Sequence, residues 1–134
     1  MKSLDEIREF FAGDLYATEA TGIFIEEAGE GYAKVSLHVE NKHRNALGQV
    51  MGAVCFSMAD FAFAVASNCA LEDGATVTHS SQINFVGVPK TDTLYATASV
   101  EKEGNRTSLY SVKVTDSDNH VVAIALSNGY KIKK

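Results

Sequence analysis

The chain has 134 residues, 46% of them hydrophobic and 22% charged, enough for one globular domain burying roughly two-thirds of its unfolded surface. A formal net charge of −5 with no basic run argues against non-specific nucleic-acid binding, while leaving room for an anionic ligand held by a local patch. The N-terminal MKSLDEIREFF is too charged for a signal peptide and no apolar stretch reaches spanning length, so a cytoplasmic protein without membrane contact is expected.

Ser3-Leu4-Asp5-Glu6 is a capping-box pattern, and Leu4, Ile7, Phe10 and Phe11 follow at helical spacing. This predicts a short amphipathic helix ending near Gly13, then a second short turn up to Gly22. Ile23 to Glu26 and Tyr32 to Val39 alternate about an Ala28-Gly29-Glu30-Gly31 turn, which predicts a half-buried hairpin. Ala33, Val35, Leu37 and Val39 should face inward. Residues 40 to 49 are polar and irregular, and a long helix is expected from Val50 to Leu71.

Beyond Gly74 the period returns to two, with strands expected around Thr76–Val86, Thr91–Lys102, Thr107–Thr115 and Val121–Ile132. Tight turns fall at Glu103-Gly104-Asn105 and Asp116-Ser117-Asp118-Asn119. Without a linker, repeat or low-complexity segment, residues 1–134 read as a single domain. One long apolar helix among about six antiparallel strands predicts an α+β fold with the sheet wrapped around the helix.

The long helix carries the most informative residue. Asp60 sits mid-way in its apolar run, and no other charged residue follows before Glu72. An unpaired buried carboxylate costs several kcal/mol, so one is kept when it is paired, hydrogen-bonded or useful. A pairing with Arg44 or Arg106 would make it structural. At 100° per residue, Val54, Met58, Phe61, Val65 and Cys69 form a broad apolar face suited to a sheet. Ala53, Ser57, Asp60, Ala64 and Ser67 form an opposite stripe that is small and mildly polar, as a second subunit would require. Phe56 and Phe63 flank Asp60 along one border, where apolar surroundings strengthen a carboxylate as a base. Gly52 falls in the first turn, where N–H groups lack intrahelical partners and the helix dipole favours developing negative charge. That is the physical description of an oxyanion hole, although small residues there also suit packing. Cys55 and Cys69 lie about 21 Å apart at ~1.5 Å per residue, too far to bridge. No metal-ligand spacing is present.

Asn45-x-x-Gly48-x-x-Met51-Gly52-Ala53, followed by Met58-Ala59-Asp60-Phe61-Ala62-Phe63-Ala64, resembles the hotdog-fold acyl-CoA thioesterases, and most of all their PaaI-like branch. The likeness continues through Ile83-Asn84-Phe85, Asp92-Thr93-Leu94 and Glu103-Gly104-Asn105-Arg106-Thr107. It implies hydrolysis of a small or medium acyl-CoA, aromatic ones included, with no cofactor and with CoA as part of the substrate. Asp60 would be the catalytic base or nucleophile, the Gly52 amide would polarise the thioester carbonyl, and Asn45 would orient carbonyl or water. Ser80 would assist the water, with Ser81 adjacent. Gly104, Asn105, Arg106, Thr107 and Ser108 would touch the CoA moiety, Lys90 a phosphate, and Met51, Phe56 and Phe63 the acyl region. The resemblance also implies a homodimer, assembling to a homotetramer, in which each site draws Gly52 and Asp60 from different subunits. Two positions depart from the family pattern: Met51 stands in place of histidine and Ala53 in place of glycine. A non-catalytic acyl-CoA-binding protein of the same fold is the alternative that this departure raises.

Overall fold

The computed structural model describes residues 2–70 and 74–132. Helix α1 (Leu4–Phe11) opens on the expected capping box, with Ser3 and Glu6 exchanging two 3.1 Å hydrogen bonds. A π-helical turn (Tyr16–Thr21) follows and closes at Gly22, whose φ of 90° suits a residue without Cβ. Then come β1 (Phe24–Gly29), β2 (Tyr32–His38), a 3-10 turn (Asn41–His43), α2 (Gly52–Asn68), β3 (Ala75–Phe85), β4 (Thr93–Glu103), β5 (Thr107–Asp116) and β6 (Val121–Ile132).

The six strands form one antiparallel sheet in the order β1-β2-β4-β5-β6-β3, and α2 lies across its inner face. The helix buries its expected apolar face: Val54, Met58, Phe61, Val65 and Cys69 pack with Val35, Leu37, Leu94, Ala96, Val112 and Val114. Ala53 is exposed, and Ser57, Asp60, Ala64 and Ser67 are half-buried. The α+β expectation of six strands around one long helix is met.

Boundaries shift where backbone geometry overrides composition. Met51 is extended (φ −66°, ψ 140°), so α2 starts at Gly52 rather than Val50. Its expected end, Leu71, lies outside the described residues. The Asn68 side chain joins helix end to sheet by accepting from the Thr76 N–H at 2.7 Å and donating to the Thr76 carbonyl at 2.9 Å.

The two sheet edges differ. Along β1, Arg8 donates through Nε to the Ile25 carbonyl at 2.8 Å and lays its guanidinium 4.5 Å from the Phe24 ring, so α1 covers that edge. Along β3, eleven residues (ATVTHSSQINF) hold no proline and no Asp, Glu, Lys or Arg, the residues that usually protect an open edge. Val77 and Phe85 on it are exposed. The β1 edge is covered by α1, and the β3 edge is left open among the described residues.

Candidate active site

The 45–49 loop sets where α2 begins. The Asn45 side-chain oxygen accepts from the Leu47 and Gln49 N–H groups at 2.9 and 3.1 Å, and Gly48 takes φ 81°. Met51 N–H donates to the His43 carbonyl at 2.9 Å. His43 is in turn buried, its Nδ1 accepting from Glu40 N–H and its Nε2 donating to the Thr21 carbonyl at 2.7 Å. These bonds account for the Asn-x-x-Gly spacing as a loop device. They commit the Asn45 oxygen to the backbone, and its NH₂ finds no acceptor among the described residues.

The α2 N-terminus is left bare. Met51 provides no side-chain cap, and the first turn holds no acidic residue. Among the described residues, the N–H groups of Gly52 and Ala53 find no acceptor. The Phe85 ring lies over Gly52, where a Cβ would come within 2.9 Å of Cζ. Packing therefore also selects glycine here, while the amide stays available to an oxyanion.

Asp60 lies eight residues further on, about 12 Å along the axis at ~1.5 Å per residue. Its Oδ1 accepts from Thr78 Oγ1 at 2.9 Å, the one hydrogen bond to this carboxylate among the described residues. Among the described residues it forms no ion pair: Arg44 bonds Asp92 at 3.1 Å, and Arg106 is engaged with no carboxylate. A half-buried carboxylate with so few partners keeps lone pairs open to a molecule in the adjoining space.

Within the chain, Ser80 does not stand beside Asp60. A β-bulge between Thr78 and Ser80 resets the alternation of β3, so Thr78 faces the helix and Ser80 turns to the outer face. There Ser80 Oγ accepts from Asn128 Nδ2 at 3.3 Å. Ser81 faces inward and bonds Ser127 at 2.9 Å. Sequence reasoning missed Thr78, although a hydroxyl residue one strand position before the bulge was available to it.

A cavity of about 460 Å³ opens beside Asp60, between the π-helical turn and the face of α2 carrying Phe56, Phe61 and Ala64. A second, of about 840 Å³, meets it at Asp14 and Ala64 and runs to Asn105, Arg106 and Lys131. Lys131 pairs with Glu103 at 3.2 Å and donates to the Gly104 carbonyl at 2.7 Å. Gly104 fits a tight turn in which a Cβ would lie 2.8 Å from the Thr107 carbonyl oxygen, and Thr107 is exposed at the start of β5.

Three expected contacts fall elsewhere. Phe63 is wholly buried, with its ring 5.2 Å from Tyr110, because its direction points into the sheet instead of along the Asp60 border. Ser108 is also interior: a Cβ on Gly129 would lie 2.8 Å from the Phe63 ring and 2.9 Å from Ser108 Oγ. Lys90 sits at the far end of β5 from Arg106, where its N–H donates to Asp116 at 2.8 Å. The strand between them has ten residues, about 30 Å at ~3.3 Å per residue, so one chain cannot bring both to one ligand. Met51 and Phe56 are exposed, at the α2 start and on the cavity wall. Cys55 and Cys69 are buried free thiols, and burial pushes Cys55 up to about 11, which keeps it unreactive.

A family model described as the thioesterase superfamily matches residues 47–123, which span the α2 start, Asp60 and Thr78. The chain is 32% identical to the Escherichia coli acyl-coenzyme A thioesterase PaaI over 115 residues, covering 85% of this chain and 81% of that one. It is 35% identical to a protein of Archaeoglobus fulgidus named as an esterase, covering 82% and 71% respectively. The solved structure of the E. coli PaaI protein from the phenylacetic acid degradation operon superposes with a TM-score of 0.81 at 30% identity, covering 97% of this chain and 96% of that one.

Proposed function

Because this chain belongs to the thioesterase superfamily and has its PaaI-like hotdog fold, we propose that it hydrolyses acyl-CoA thioesters at a site built around Asp60 and the α2 N-terminus. The observation that carries this reading is the Asp60 carboxylate, held by a single hydroxyl at the mouth of a cavity. Asp60 takes a proton from water as the oxygen adds to the thioester carbonyl. Alternatively it adds directly, giving a mixed anhydride that water then opens. In either route the carbonyl oxygen becomes an oxyanion, and an unpartnered N–H at the positive end of α2 suits it. Collapse breaks the C–S bond; in the base route the proton held by Asp60 passes to the CoA thiolate, and in the nucleophile route the thiolate takes the proton released when water opens the anhydride.

Gly52 and Asp60 of one helix, about 12 Å apart, cannot both reach the same carbonyl. The open β3 edge offers a solution. Antiparallel self-pairing about its middle by a two-fold axis would set the Phe85–Lys90 end of one chain beside the Asp60–Arg106 end of the other. In such a homodimer the partner's helix start supplies the oxyanion donor. Arg106 and Asn105 of one chain and an exposed lysine at position 90 of the other then offer charge for the CoA phosphates.

The test is thiol release across a panel of acyl-CoAs differing in length and aromaticity. Turnover of at least one member is expected. Saturable CoA binding with no hydrolysis of any member would replace this reading with the non-catalytic alternative.

A further inference from the structure

The α2 face around Asp60 is only one wall of its cavity. The opposite wall is the segment Asp14-Leu15-Tyr16-Ala17, where α1 gives way to the π-helical turn. Its backbone is firmly tied. Thr18 N–H donates to the Asp14 carbonyl at 2.9 Å, and both Gly22 and Ile23 N–H groups donate to the Ala17 carbonyl, at 3.1 and 2.9 Å. The Thr21 carbonyl is held by the buried His43. Yet Leu15 is 57% exposed and Tyr16 68% exposed, with Phe56 at 38% across from them. Folding does not explain two large apolar side chains held outward on a fixed backbone, since neither contributes to the core. A π-turn widens the backbone and re-aims side chains, and such turns recur at functional sites. Contiguous exposed apolar surface beside a chemically active group marks a binding site.

The two cavities differ in character. The larger carries Asn105, Arg106 and the Lys131–Glu103 ion pair, whereas the charged residues around the smaller, among those described, are Asp14 and Asp60. They join at Asp14 and Ala64, close to Asp60. A molecule with an anionic body and an apolar head fits with its junction near Asp60. Asp14 adds a condition to that join: burial first, and then the Asp60 charge, raise its affinity for a proton.

Resting on the thioesterase reading above, we propose that Leu15 and Tyr16 form the acyl-selecting wall of the site, so that the N-terminal segment determines which acyl groups are accepted. The acyl chain or ring lies between Tyr16 and Phe56, with its carbonyl toward Asp60. Larger and aromatic acyl groups bury more apolar surface there than an acetyl group does.

Tyr16→Ala, Leu15→Ala and Tyr16→Phe test this against wild type. The readout is the ratio of kcat/KM for phenylacetyl-CoA and octanoyl-CoA to that for acetyl-CoA. The ratio should fall about tenfold in each alanine variant and stay near wild type in Tyr16→Phe. A uniform loss on all substrates, or an unchanged ratio, overturns the proposal, as does a Tyr16→Phe ratio as low as that of Tyr16→Ala. In the Asp60→Asn background, Tyr16→Ala should weaken phenylacetyl-CoA binding about tenfold while free CoA binding moves much less; equal weakening of both also overturns it. This binding arm separates the two ideas. If wild type hydrolyses nothing but the acyl-specific loss of affinity persists, the thioesterase reading fails and the wall stands.

Discussion

Asp60 and Asp116 are both acidic residues in apolar surroundings, and the structure treats them oppositely. Asp116, at the end of β5, is completely buried and fully engaged. Its Oδ1 accepts from the N–H groups of Asp118 and His120 at 3.0 and 2.9 Å, while Oδ2 accepts from Lys90 N–H at 2.8 Å and His120 Nδ1 at 3.0 Å. Burial alone would raise its proton affinity. The hydrogen bonds from Lys90, His120 and Asp118 outweigh it and hold the carboxyl well below the usual carboxylate range. Asp60 is half-buried, accepts one hydroxyl and faces a cavity. A carboxylate whose lone pairs are all answered by its own turn and the loop beside it is architecture. One left nearly unanswered in a cavity wall is available for chemistry.

Substitutions that remove charge at nearly constant shape should split the pair most sharply. Asp60→Asn should lower kcat for thiol release by about 10² or more with an unchanged melting temperature, since it deletes the base or nucleophile and no core contact. A folded variant with wild-type kcat would return Asp60 to the structural class. Thr78→Val removes the single hydrogen bond that orients Asp60 from an exposed edge strand. A fall in kcat of about tenfold with a smaller change in KM is expected, with Thr78→Ser restoring most of it. Loss in the serine variant as well would show that the methyl group matters and not the hydroxyl.

For Asp116 the loss should appear in stability. Its folded proton affinity is depressed, so its contribution is present above the unfolded value, near 3.9, and disappears as pH falls through the folded value. Wild-type melting temperature should therefore decline as pH is lowered through the acid range below about 5. Asp116→Asn, whose NH₂ would confront N–H donors, should melt lower at neutral pH and show a flatter acid limb, with near-normal kcat per folded molecule. A steep limb in the variant would place the acid sensitivity elsewhere. The smallest effect expected is that of Met51→His, which restores the family's residue at an exposed, extended N-cap. It should alter kcat or acyl preference severalfold with little change in melting temperature, and no kinetic change would make position 51 packing alone.

Element types were legible from the sequence because each follows a period: two along the strands and 3.6 along α2, with glycine or Asn-Asp turns between. Asp60 was legible because a charge inside an apolar helical run has few innocent explanations. What escaped depends on features with no periodic trace. The bulge after Thr78 reversed which hydroxyl faces the helix, so Ser80 was expected where Thr78 stands. A helical wheel gives direction without depth, so Phe63 was placed beside Asp60 although the sheet buries it against Tyr110. Lys90 and Arg106 both suit a phosphate by residue type, but the whole length of β5 separates them within the chain. The π-turn carrying Leu15 and Tyr16 read only as a short turn, since its sequence has no pattern that distinguishes a wide turn from a tight one.

The central claim is that one site takes its oxyanion donor from one chain and its carboxylate from another. Gly52→Pro removes the N–H at a first-turn position whose preceding residue already has proline-compatible backbone, and it requires only that the exposed Phe85 ring give way. Gly52→Ala, which adds the Cβ but keeps the amide, isolates the steric part. Gly52→Pro and Asp60→Asn should each be nearly inactive alone. Co-refolded in equal amounts, about half the dimers are mixed, and each mixed dimer holds one site with both groups intact, so activity should recover to roughly a quarter of wild type. No recovery, with subunit exchange demonstrated by differently tagged chains, would contradict the shared site.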